Sequence, residues 1–131
     1  MKIRMLERYR VVVPDRYLKT RFIEELVTIM HGEQKLITTD LALQLLEGER
    51  KPVTYVPLEE IDGALLQDSD TTYSCRWKGE ARYYNVQLPD GVIIPDGAWG
   101  YPSAPDELAL LRTQISFDTT RFTEEFKTKG R

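Results

Sequence analysis

The chain has 131 residues, of which 41% are hydrophobic and 30% charged, with a net charge of −3. That is enough for one hydrophobic core and too little for two ordinary domains, so a single domain over residues 1–131 is expected. No apolar run approaches the roughly 18 residues of a membrane helix, and the charged start MKIRMLERYR lacks the apolar segment of a secretory signal, which points to the cytoplasm. One cysteine and one histidine exclude an internal disulfide and the usual four-ligand N/S zinc site within one chain. No metal or cofactor is expected.

The charge is unevenly spread. Residues 1–21 carry seven bases (Lys2, Arg4, Arg8, Arg10, Arg16, Lys19 and Arg21) against Glu7 and Asp15, whereas residues 22–70 carry three against eleven acids. The basic arm is interleaved with Ile3, Leu6 and the valines at 11–13 and contains no groove-reading motif. It is read as folding against the acidic part of its own domain, and nucleic acid is not an expected partner.

In chain order, residues 10–13 are β-branched and stop at Pro14, the pattern of a short strand closed by a turn. Residues 15–26 predict a short helix, because Tyr17, Leu18, Phe22, Ile23 and Leu26 follow near-helical spacing after an N-cap-like Asp15. LVTIM and QKLITTD flank His31-Gly32-Glu33 as two strands around a tight turn, with His31 exposed at the tip. LALQLLEGERKP reads as either an extended segment or a helical turn, stopped by Gly48 and Pro52. Residues 53–56 form a strand before Pro57, and LEEIDGALL supplies one or two helical turns with Glu59, Glu60 and Asp62 on their exposed face.

The second half carries stronger strand signals. Residues 71–75 and 81–88 are aromatic and β-branched on either side of Lys78-Gly79, which predicts an antiparallel hairpin. Pro89-Asp90-Gly91 and Pro95-Asp96-Gly97 predict turns on either side of a short strand at 92–94. Ser103 is expected to open a helix over SAPDELALLR, with Asp106 as acidic partner and Leu108, Leu111 and Ile115 facing the core. Residues 114–117 read as a strand, RFTEEFK as a short helix with Phe122 and Phe126 on one face, and KTKGR as a frayed end.

Three pieces of this order carry a family resemblance. Thr39-Asp40 followed by LALQLLEGERKPVTYVPLEEID, then CRWKGEARYYNV, then AWGYP, resemble an uncharacterised bacterial domain family that bears a nucleotidyltransferase label, over residues 30–118. The resemblance implies a mainly β domain of β-tent type: folded antiparallel sheets with a few short helices, as in B-type methionine sulfoxide reductases and the drug-binding domain of cereblon. The chain departs from the pattern before the aromatic-Lys-Gly turn. Where the family has His or a small polar residue, then Cys, then Pro, this chain has Ser74, Cys75 and Arg76. Any role of that histidine is absent here.

The residues give the label little support. Nucleotidyl transfer needs a backbone cradle for phosphates and carboxylates that hold magnesium against them. The glycines form no Walker or GxGxxG pattern, and Asp68 and Asp70 fit a solvated turn equally well. Cys75 beside Arg76 and Lys78 could carry a stabilised thiolate, but with no resolving cysteine it reads better as a small side chain lining the core. Catalytic residues are therefore not assigned.

The aromatic residues form the better candidate site. With alternation along strands, Tyr73, Cys75 and Trp77 share a face, Tyr83 comes opposite them and Tyr84 points away, while Trp99 and Tyr101 alternate in the same way. If the two segments meet, Trp77, Tyr83, Trp99 and Tyr101 line a recess with Cys75 among them and Lys78 or Arg82 at the rim. Such a recess suits an unidentified small planar or cationic molecule, and the basic groups suit an anionic group on it. The competing reading makes the same rings the core of a small β domain. The expected function is a non-catalytic small-ligand-binding or interaction module. The alternative is an enzyme, thiol-dependent or nucleotidyltransferase-like, and self-association through an aromatic patch is a third reading.

Overall fold

The computed structural model of the chain describes residues 10–13 and 18–129. It is mainly β, with two antiparallel sheets and short 3-10 segments. The strands are β1 (Arg10–Val13), β2 (Leu18–Phe22), β3 (Leu26–His31), β4 (Gln34–Thr39), β5 (Leu43–Glu47), β6 (Val53–Pro57), β7 (Leu66–Cys75), β8 (Gly79–Gln87), β9 (Ile93–Gly100), β10 (Gln114–Phe117) and β11 (Thr123–Lys127). Eight of them form one sheet in the order β1-β2-β5-β6-β10-β9-β8-β7, and a second sheet has the order β11-β3-β4. Among the described residues no helix is long and apolar enough to cross a membrane.

Alternation along the strands divides the large sheet into two apolar faces. One face packs against the three-stranded sheet through Val56, Val86, Ala98, Ile115 and Phe117, which meet Val27, Ile29 and Ile37. The other carries Leu18, Leu43, Leu45, Tyr55, Ala81 and Tyr101, and the 3-10 segment Asp106–Thr113 lays Leu108 and Leu111 on it. Each fully buried Leu, Ile or Phe contributes on the order of 1.5–3 kcal/mol of apolar transfer energy, so both faces are needed to hold a sheet this wide.

Several elements differ from the sequence expectation. The helix expected over residues 15–26 is replaced, where described, by strand β2, paired residue for residue with β5 from Leu18↔Glu47 to Phe22↔Leu43. RFTEEFK likewise forms β11, paired with β3 from Thr123↔Met30 to Lys127↔Leu26. The turn expected at Pro95-Asp96-Gly97 is instead a bulge inside the continuous strand β9, with Asp96 at φ 51°. Ser103 does not cap the following segment, whose first turn begins after Pro105. His31 is half-buried with its ring edge-on to Phe122 at 5.8 Å, not exposed at the tip. The expectations at Pro14, Asp15 and the last two residues fall outside the described residues.

The β3–β4 hairpin, the β6 strand, the β7–β8 hairpin and the core positions of Leu108, Leu111 and Ile115 are as expected. LALQLL resolves to the extended alternative, β5. Asp62 caps the turn Gly63–Leu65, accepting from the Ala64 N–H at 3.0 Å, while Glu60, in the preceding turn Leu58–Glu60, accepts from the Thr39 hydroxyl at 2.8 Å and ties that earlier turn to β4.

Candidate functional site

The β7–β8 hairpin closes through Arg76-Trp77-Lys78, with Cys75 paired to Gly79 at φ 89°. A side chain at Gly79 would be strained by that positive φ and would also sit tightly, 3.3 Å from the Ser103 carbonyl oxygen, so the backbone conformation favours glycine. Trp77 thus sits in the turn and not on the strand face. It nevertheless folds back onto the cluster containing Tyr55, Ala81, Tyr101, Leu108 and Leu111. Cys75, Tyr83 and Trp99 pack against the same cluster, and the Tyr83 and Trp99 rings lie 6.1 Å apart across the β8–β9 pair. Tyr84 points to the opposite face and packs on the inter-sheet core.

Five of the seven candidates, Cys75, Trp77, Tyr83, Trp99 and Tyr101, therefore come together, and Lys78 joins them. Its Nζ lies 3.7 Å from Glu47 Oε1 and 5.3 Å from the centre of the Tyr101 ring, with both charged side chains at most 15% exposed. Lys78 is engaged inside the cluster and does not stand at a rim. Arg82 is placed apart: between Ala81 and Tyr83 it alternates to the Tyr84 side of β8 and is exposed. Tyr73 lies on the expected face but is 59% exposed.

The cluster is polar at its centre. Burial, then the proximity of Tyr101, raises the Tyr55 hydroxyl above the usual tyrosine range, while a hydrogen bond from the Trp99 indole opposes the rise. Burial also raises Tyr101, followed by its neighbours Cys75 and Tyr83. Both hydroxyls are protonated at neutral pH. Leu108 and Leu111 cover the rings and Tyr101 is 6% exposed, so this part of the aromatic set is core.

Trp99 also reaches a second place. With Val53 and Thr54 of β6, Ser116 and Phe117 of β10, Phe122 just before β11, and Glu124 and Phe126 of β11, it lines a cavity of about 430 Å³, with Lys51 two residues before β6. Glu124 shares the inward parity of Phe122 and Phe126 and pairs across β11–β3 with buried Ile29. Its Oε1 accepts from the Thr54 hydroxyl at 2.9 Å. Desolvation raises the Glu124 carboxyl above its ordinary range, partly offset by that hydrogen bond and by Lys51.

The family model for a domain of unknown function, DUF427, matches residues 19–128. The chain belongs to the DUF427 family. The match reaches beyond residues 30–118 at both ends, taking in β2 from its second residue and all of β11. The model bears a nucleotidyltransferase name, and a label is not a site; chemistry has to be argued from residues. No curated protein matches the chain. Among the described residues of this DUF427 domain, no group of three or more His, Cys, Asp or Glu side chains is placed to hold a metal ion.

Sequence reasoning missed Glu47, Tyr55, Thr54 and Glu124. Tyr55 had a signal, since a tyrosine inside the β-branched run VTYV needs a partner for its hydroxyl when buried. Thr54 and Glu124 are 70 residues apart, and no local pattern joins them.

Proposed function

We propose that this DUF427 domain is a non-catalytic binding module for a small molecule seated in the cavity beside Trp99. The observation that carries the reading is a half-buried carboxyl, Glu124, hydrogen-bonded to Thr54 within a cavity walled by Trp99, Phe117 and Phe122. A volume of about 430 Å³ suits a small ligand, and a mostly apolar wall with a few convergent polar groups is the usual composition of such a site. In this reading the recess expected from Trp77, Tyr83, Trp99 and Tyr101 gives way to a different cavity, which shares only Trp99 with it.

Thr119 is exposed and lines the same cavity, so Thr119→Trp blocks it without entering the core. A thermal-shift screen of small aromatic and heteroaromatic compounds is expected to give hits on the wild type that vanish in Thr119→Trp. Hits that persist unchanged in that variant would place the ligand elsewhere.

One observation favours interaction with a macromolecule as a second reading. Phe22, Leu41, Leu58 and Leu110, all more than a third exposed, line an apolar groove with Pro57 and Gln114. If copies of the chain meet there, Leu58→Asp reduces the sedimentation coefficient at high concentration. An unchanged value would remove self-association through this groove.

A further inference from the structure

We infer that the cavity beside Trp99 takes a small organic cation: an ammonium group on an apolar or aromatic body, with the Glu124 carboxylate as its counter-charge. This rests on the cavity being a binding site and names the chemistry of its ligand. Glu124 points inward among Trp99, Phe117, Phe122 and Phe126, and aromatic faces attract cations as well as apolar surface. Its carboxylate has four acceptor positions, of which the Thr54 hydroxyl fills one at 2.9 Å. Thr54 thus orients the group while leaving acceptor capacity for an N⁺–H donor.

Among the charges around the site Lys51 opposes this polarity, from an exposed position where solvent screens it. Lys51, exposed two residues before β6, acts on Glu124, and Ile29, the cross-strand neighbour of Glu124, is apolar. Glu125 alternates to the other face of β11, with its carboxylate 3.9 Å from Lys127. Burial raises the Glu124 carboxyl more than Thr54 and Lys51 lower it, so a cation beside it would favour its charged form.

The test is a titration followed by ¹H–¹⁵N correlation spectra, using three probes of one shape: 2-phenylethylammonium, 2-phenylethanol and phenylacetate. The wild type is compared with Glu124→Gln, which keeps size and an acceptor for Thr54, and with Lys51→Ala at an exposed position. The ammonium is expected to shift the Trp99 indole and Thr54 amide resonances and to bind about tenfold or more tightly than the alcohol, the scale of one charge-assisted hydrogen bond. Glu124→Gln should bring the two within about twofold, and Lys51→Ala should tighten the ammonium. If alcohol and ammonium bind equally at these resonances, the cavity reading stands and the cation inference is overturned. Tighter binding of phenylacetate, lost in Lys51→Ala, would make Lys51 the counter-charge and also overturn it. If no probe moves these resonances, both readings fall.

Discussion

At the scale of single residues, Lys78 and Glu47 show how a group that looks available in sequence is committed in the fold. Both are largely buried, and the ammonium lies over the Tyr101 ring. Removing one partner breaks a largely buried ion pair, so Lys78→Met or Glu47→Leu should each lower unfolding free energy by about 3–5 kcal/mol, while the double variant should lose much less than the sum. Chemical denaturation of the four proteins checks this, and additive losses would contradict it. Trp99→Phe keeps the ring and deletes the indole donor to the buried Tyr55 hydroxyl, at an expected cost of about 1–3 kcal/mol. Glu124 gives a pH signature of definite sign. Its folded pKa is raised, so its stabilising contribution is fully present below its ordinary 4.5 and is lost as pH rises through the folded value. The stability of wild type relative to Glu124→Gln should therefore fall as pH rises from about 4.5; a difference independent of pH would contradict the burial of this carboxyl.

At the scale of elements, β8 is flanked by two irregularities. The register with β7 shifts between Asp68 and Thr72, and that with β9 shifts between Tyr84 and Val86. Asp96 joins the two, accepting from Ser69 at 2.5 Å and Thr71 at 2.8 Å, while its own N–H donates to Asn85 Oδ1 at 2.9 Å. Those hydroxyls, Ser69 first, hold the Asp96 carboxyl below its ordinary range, so its contribution is present above the unfolded pKa and lost as pH falls through the folded one. Asp96→Asn keeps a residue that tolerates positive φ but should remove this acid-side loss, which acid titrations of both proteins would show. Beside it, a methyl at Gly97 would lie 3.0 Å from Val86 and 3.1 Å from Phe122, so Gly97→Ala should destabilise by about 1–3 kcal/mol through overpacking. Strands were legible where turn residues bounded a β-branched run, as around Gly32 and Gly79. They were misread where two apolar residues stood four apart. Leu18 with Phe22, and Phe122 with Phe126, fit one face of a helix, but a spacing of four also keeps one face of a strand. Pro95-Asp96-Gly97 has turn composition, and only pairing with β8 reveals that it bulges without reversing.

At the scale of the whole molecule, one wide sheet serves two cores, and Trp99 stands where they adjoin. The gathering of Cys75, Trp77, Tyr83, Trp99 and Tyr101 was legible because it follows from a hairpin and its neighbouring strand, all within thirty residues. The burial of Lys78 was not, since Glu47 comes from a distant strand, and neither was the cavity, whose walls are drawn from β6, β9, β10 and β11. The groove at Phe22, Leu41, Leu58 and Leu110 is the rival location for a partner. The most direct measurement is a crystallographic soak of the wild-type domain with 2-phenylethylammonium. Density for the probe beside Trp99, with its nitrogen within hydrogen-bonding distance of Glu124, is the expected result. Density confined to the groove between Phe22 and Leu110, with the cavity empty, would contradict the assignment of the binding site.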